Sequence, residues 1–255
     1  MRPASRTPPV DLRALGRTPF PAEVCISGRR YRLQKVFKHD FFAVTGLMES
    51  ADGRRIVLKI GRTAPLLGWP AAWVGAWLAG REARIYQALR GVRGIPAFTG
   101  TWGRCGMAHE YIAGHSLSRN EAVSDEFFDQ LENLLREVHA RDMAYVDLEK
   151  CANVLVGDDG RPWLIDFQIS WHWPGPLGRR FPLTRLLRRL QHMDHYHLLK
   201  HRRKLRPDQL SAAQLEAAQK PPGSIRLHRL LTAPLQQIRR AVLRRLDPDR
   251  VAEPR

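Results

Sequence analysis

Three side chains along one stretch of this 255-residue sequence could carry acid–base and metal chemistry: Asp147, Asn153 and Asp166. The first two lie in Tyr145-Val146-Asp147-Leu148-Glu149-Lys150-Cys151-Ala152-Asn153, and the third in Leu164-Ile165-Asp166-Phe167-Gln168. Carboxylate and amide oxygens are hard ligands that suit Mg²⁺. A further carboxylate beside them can accept the proton of a hydroxyl. Two oxygen ligands next to a base are the minimum that phosphoryl transfer requires. Lys150, inside the same loop, either steers a phosphate or faces water.

These residues need elements to position them. Between Asn153 and Asp166 run Val154-Leu155-Val156, a turn at Asp158-Asp159-Gly160, and a second apolar run, Pro162-Trp163-Leu164-Ile165. That pattern predicts a hairpin. It would return Asp166 to the end of the ribbon where Asn153 stands, with Asp147 in the loop before it. Upstream, Phe127, Phe128, Leu131, Leu134, Leu135 and Val138 recur at helical spacing, with Ser124 as a candidate N-cap. Tyr31 to Val36, Phe41 to Met48 and Arg55 to Ile60 read as strands. Lys59 sits among apolar neighbours in the third, and an interior ammonium requires an anionic partner. Glu82 to Leu89 is helical by composition, and Ile95 to Thr101 and Gly106 to Ile112 are two more strands. This order suggests a small sheet with one helix. Beyond Phe167 the chain reads as helical and very basic to its end.

Composition narrows the partners. With 44% hydrophobic residues the chain can bury a core, which excludes global disorder. Its length suits one domain of two lobes or two small domains. A net charge of +17 predicts an acidic partner: nucleic acid, an anionic membrane surface, or an acidic substrate. Cys25, Cys105 and Cys151 are widely spaced and odd in number, which fits a reducing compartment and neither a disulfide framework nor a zinc site. Met1 to Phe20 shows no apolar core of a secretory signal. The apolar stretch from Ala64 to Gly80 holds two prolines and three glycines, which disfavours a membrane span. Within it Trp69, Trp73 and Trp77 share one helical face. That face reads either as core packing or as an interfacial contact with a membrane.

From Arg179 to Arg206 ten basic residues stand against one acid, Asp194. His197 and His201 are one helical turn apart there, but no acidic or thiol ligand accompanies them in sequence, which argues against a metal. A second basic segment, Ile225 to Leu246, is amphipathic and broken at Pro234; it suits either docking on the protein or an anionic lipid surface. Trp171, Trp173 and Tyr196 are scattered rather than interleaved with the basic residues, which argues against nucleic acid.

In this order the strand lysine, helix glutamate, Glu110-Tyr111-Ile112, long helix, Asp…Asn loop and Asp166-Phe167 resemble the protein-kinase-like superfamily, over residues 31–200. The chain is most similar to bacterial lipopolysaccharide core kinases acting on Kdo or heptose sugars, and to RIO-like relatives. The resemblance implies an α+β, two-lobed fold, with a small N-terminal antiparallel sheet plus helix and a larger, mainly helical C-terminal lobe. It divides the chain into an irregular segment (1–28), an N-lobe (29–113), a C-lobe with the catalytic loop (114–206) and a basic helical extension (207–255). It implies ATP and Mg²⁺ as cofactors. Lys59 would contact the α- and β-phosphates and pair with Glu82. Glu110 and Ile112 would hold the adenine edge, and Lys38 would supply charge to the phosphates. Asp147 would orient the acceptor hydroxyl and take its proton, with Lys150 beside it. Asn153 and Asp166 would bind the metal. Asp194 would brace the catalytic loop.

The sequence departs from that pattern in places. Asn153 follows Asp147 by six positions, where the signature H-R-D-L-x-x-x-N has five. Tyr145 and Val146 stand where His and Arg are usual, and Gln168 replaces a glycine. Lys38-His39-Asp40-Phe41-Phe42 replaces the glycine-rich phosphate loop. Without an arginine at position 146, a phosphorylated activation loop has no obvious partner. No Ala-Pro-Glu follows Asp166. These last two points favour a constitutive enzyme of small or glycan substrates. The expectation is a cytoplasmic phosphotransferase, peripheral at the inner face of the membrane, whose substrate is an anionic glycolipid or sugar. An atypical serine/threonine protein kinase and a pseudokinase scaffold on an anionic membrane are the alternatives.

Overall fold

Alternating apolar residues from Val24 onward build the first of two units. The computed structural model describes residues 13–65, 70–175 and 180–219. One unit takes in the described residues up to Ala83 together with Phe98–Tyr111; the other takes in Arg84–Ala97 and the described residues from Ile112 onward.

The first unit is an antiparallel sheet of six strands: β1 (Glu23–Ile26), β2 (Arg29–His39), β3 (Ala43–Ser50), β4 (Arg55–Gly61), β5 (Phe98–Trp102) and β6 (Gly106–Glu110). Their order is β1-β2-β3-β4-β6-β5. Ser27 and Gly28, both with positive φ, make the two-residue turn between β1 and β2, the backbone such a tight hairpin needs. Ile26, Tyr31, Val44, Met48, Ile56 and Leu58 form its core. The two end strands meet: Ser27 Oγ donates to the Thr99 carbonyl at 2.8 Å, and a Cβ on Gly100 would lie 2.7 Å from Ile26 Cγ2. The sheet is thus nearly closed, like a barrel.

Helix α1 (Ala72–Ala88) follows β4 in the chain. Its buried residues in this unit are small apart from Glu82: Gly75, Ala79 and Ala83. A Cβ on Gly75 would lie 2.1 Å from the Arg62 carbonyl oxygen, and one on Gly61 would lie 2.8 Å from that of Gly75. Glycine at both places lets helix and strand backbones touch. Trp73 and Trp77 point outward, 71% and 55% exposed, so they are not core residues. Trp69 lies outside the described residues.

The second unit contains α2 (Phe127–Ala140), α3 (Leu183–Leu205) and α4 (Ala212–Gln219). It also holds five short strands. β7 (Gly114–Ser116), β9 (Val154–Gly157) and β10 (Pro162–Leu164) make one sheet; β8 (Met143–Ala144) pairs with β11 (Trp171–His172). The six apolar positions of α2 are all buried, as their spacing predicts. Its N-cap is Glu126, without a side-chain bond, rather than Ser124.

The α+β two-lobed kinase-like layout, with a small sheet and a larger, mainly helical C-terminal lobe, is therefore overturned. The chain is mixed, with a six-stranded, barrel-like sheet first and two more small sheets among the later helices. The reason is physical. Strands of two or three residues, such as Met143-Ala144 and Trp171-His172, carry no readable period. The run after Phe167 reads as helical until its strand finds β8. The segment Ile225 to Leu246 lies outside the described residues. Among the described residues, no helix is long and apolar enough to cross a membrane.

Candidate active site

The loop from Tyr145 to Lys150 leaves β8, makes a 3-10 turn at Cys151–Asn153 and enters β9. The hairpin closes as its pattern predicts: Val154 pairs with Leu164, and Ile165 N–H donates to the Asn153 carbonyl at 3.1 Å. Asn153 and Asp166 therefore stand at the same end of the ribbon. Asp166 has φ +62°, a left-handed conformation that Asp tolerates better than most residues.

Asp147 is buried and engaged on one oxygen. Its Oδ2 accepts Lys150 Nζ at 2.6 Å and Asn153 Nδ2 at 2.8 Å. Asn153 Nδ2 also donates to the Asp147 backbone carbonyl at 3.2 Å. With its nitrogen thus committed, the Asn153 amide has its oxygen left as the atom that could serve a ligand. One structural cluster therefore joins Asp147, Lys150 and Asn153.

The backbone before Asp147 is held from α3. Fully buried Asp194 accepts Tyr145 N–H at 2.8 Å and Val146 N–H at 2.6 Å. His139 Nε2 adds a third bond to it at 3.0 Å. Val146 has φ +71°, which costs a β-branched residue on the order of 1–3 kcal/mol, and the Asp194 bonds fix it there. Tyr145 O–H donates to the Ile165 carbonyl, with the Asn153 carbonyl at 3.4 Å, so it ties both hairpin strands to the loop. Burial, then the charges of Asp166 and Asp147, hold its phenol well above the ordinary range; it stays a neutral donor. Ser170 Oγ donates to the Tyr145 carbonyl at 2.8 Å.

A second clamp joins the loop to α3. His201 Nε2 lies 2.6 Å from the Leu148 carbonyl, so Nε2 carries the proton and Nδ1 faces Cys151 Sγ at 3.3 Å. A thiol thus accompanies His201 in space, though none does in sequence. Among the described residues, no three His, Cys, Asp or Glu side chains are grouped to hold a metal. The Asn153 amide with Asp166 is a different donor set. Hard oxygens of this kind fit Mg²⁺, which keeps waters and phosphate oxygens as its other ligands.

In the first unit Lys59 Nζ lies 2.8 Å and 3.0 Å from the two oxygens of Glu82, and the side chains are 13% and 2% exposed. This is the anionic partner that the apolar surroundings of Lys59 require. Lys38 is exposed and pairs with Asp40 at 2.8 Å. Asp40 also accepts Phe42 N–H at 2.9 Å and Ala43 N–H at 3.0 Å. The glycine-free turn is therefore held by a carboxylate, which occupies the amides a phosphate cradle would offer. Buried Arg62 holds it from below, through the Phe41 carbonyl at 2.8 Å. Glu110 is exposed at the end of β6, opposite Ile56, and Ile112 is half-buried between β6 and β7.

The resemblance marked Asp194; it marked neither His139 nor the Tyr145 hydroxyl nor the Asp40 turn. Of these only Asp40 had a local signal, since Asp before a turn often bonds the amide two residues on. No family model matches the chain, and no curated protein matches it.

Proposed function

We propose that this chain is an ATP- and Mg²⁺-dependent phosphotransferase that moves the γ-phosphoryl group to a hydroxyl. The observation that carries this reading is the Asp147 loop: a buried carboxylate bonded to Lys150 and Asn153 on one oxygen and fixed through its backbone by Asp194. A carboxylate so held can orient a hydroxyl and accept its proton. The Asn153 amide oxygen and the Asp166 carboxylate would hold the metal, which when bound would neutralise charge on the phosphates. Lys150, largely exposed, can leave Asp147 to meet an incoming phosphate. In the first unit Lys59, held by Glu82, is a desolvated cation, and the sequence resemblance alone supports giving it the α- and β-phosphates. With the amides of Phe42 and Ala43 bonded to Asp40, phosphate contact on that turn falls to Lys38.

For the acceptor we favour a sugar hydroxyl of an anionic, membrane-associated glycolipid such as lipopolysaccharide core. The net charge of +17 supports an anionic substrate, and the sequence resemblance supports the sugar. The test is transfer of labelled γ-phosphate from Mg·ATP to a cell-envelope extract separated into glycolipid and protein. Wild type is run beside Asp147→Asn and Asp166→Ala. Label in glycolipid that both variants abolish is the expected result. Site-dependent label in protein would replace the acceptor with a protein hydroxyl. Absence of site-dependent label in both fractions, from a folded chain, would overturn the catalytic reading in favour of a nucleotide-responsive scaffold.

A further inference from the structure

The first half of helix α1 turns its two tryptophans away from the core, while Ile85 and Tyr86 near its end are buried. Gly75 and Ala79 face inward, where the Gly75 backbone touches that of Arg62. Trp73 and Trp77, one turn apart, face outward at 71% and 55% exposure. An indole left in water forgoes a large gain from burial. Two on one helical face form a surface whose occupant the described fold does not supply.

The residues around them indicate the occupant. Arg81, on the next turn, holds its guanidinium 5.5 Å from the centre of the Trp77 ring. The acid of α1 is Glu82, which is buried against Lys59 and puts no negative charge on the outer face. Ala72, exposed, and Ala76, half-buried, neighbour the indoles on the helix, so these described neighbours are small side chains that build no walls around the rings. Protein hot spots centre on packed, desolvated pockets. Tryptophan among small side chains beside a cation is instead the chemistry of the lipid headgroup region. The net charge of +17 selects anionic lipid.

We infer that the Trp73–Trp77 face of α1 is a membrane-docking surface that lays its indoles into the headgroup layer of an anionic bilayer. This goes beyond the catalytic reading and does not depend on it, because neither tryptophan belongs to the proposed reaction.

The test is flotation of the full chain with vesicles of phosphatidylglycerol and phosphatidylcholine in equal parts, and with phosphatidylcholine alone. Wild type should bind the anionic vesicles, and Trp73→Ala/Trp77→Ala should lower the partition coefficient about tenfold. The unfolding midpoint of the double variant should stay unchanged, since both side chains are exposed. Independently of any variant, vesicles made with brominated phosphatidylglycerol should quench wild-type tryptophan fluorescence, and the quenching should shrink in the double variant. Equal binding by wild type and double variant would overturn the inference, placing lipid affinity elsewhere on the basic chain. So would equal affinity for neutral vesicles. A wild-type dimer that the double variant converts to monomer would also overturn it, making the face a contact between two copies. Asp147→Asn should bind vesicles as wild type does, so failure of the catalytic reading leaves this result intact.

Discussion

Two lysine–carboxylate pairs, one in each unit, have similar lengths and opposite surroundings. Lys59 and Glu82 meet at 2.8 Å with both side chains nearly out of water. Lys150 and Asp147 meet at 2.6 Å, but the lysine side chain is 61% exposed. In the first pair each charge depends on the other, because an uncompensated buried ion is costly. In the second, Asp147 keeps its place through Asn153 and through the backbone that Asp194 holds, and Lys150 is dispensable to it. The first pair is therefore a fixed cation built into a strand, while the second is a contact that a ligand can replace.

The sharpest way to break this comparison is to remove one acid from the buried pair. Glu82→Ala should lower the unfolding free energy by about 3–5 kcal/mol, read from urea denaturation. Asp194→Ala comes next. It strips the carboxylate acceptor from two backbone N–H groups and from His139, and should cost about 3 kcal/mol together with the proposed phosphoryl transfer. Asp147→Asn keeps an acceptor for Asn153, so stability should stay within about 1 kcal/mol while kcat falls about 10²–10⁴-fold. Lys150→Ala should change stability by no more than about 1 kcal/mol, since exposed pairs contribute little. A loss as large as that of Glu82→Ala would erase the distinction between the pairs.

The smallest effect is a pH dependence. Burial holds His201 below its ordinary value of 6.5, against the opposing pull of the Leu148 carbonyl. The fold thus favours neutral imidazole. Its contribution is complete above pH 6.5 and is lost as pH falls from there through the lowered folded value. Urea midpoints at about pH 7.5 and 5.5 should therefore differ, and His201→Asn should narrow the gap. His39, His172 and His195, also lowered chiefly by burial, would supply what remains of it.

The sequence made the ribbon readable because Val154 to Val156 and Pro162 to Ile165 are apolar runs joined by a turn at Gly160, which has φ +75°. Helix α2 was readable because its six apolar residues keep one period. That Lys59 needs an anionic partner was predictable from the cost of burying a lone ammonium, while the choice of Glu82 came from the resemblance. Other features depend on contacts far apart in the chain. Strand β1 lies in the segment 1–28 that reads as irregular, because Glu23–Ile26 is too short to show more than two buried residues. Near-closure of the sheet requires Gly100 to meet Ile26, 74 positions away, which no local pattern announces. Periodicity placed Trp73 and Trp77 on one face but could not say which way it pointed; the small residues opposite them decided that.

The missing side chain at position 75 makes α1 a lever with a fixed fulcrum. Glu82 lies two turns along the same inward face, about 10 Å from Gly75 along the axis. Adding even one methyl group at the fulcrum would meet the Arg62 carbonyl and force the rod to tilt or slide. The far end would move with it and draw the Glu82 carboxylate off Lys59. A carbon atom at position 75 would thus act as a dial on the charge presented by β4, without touching either partner of the pair.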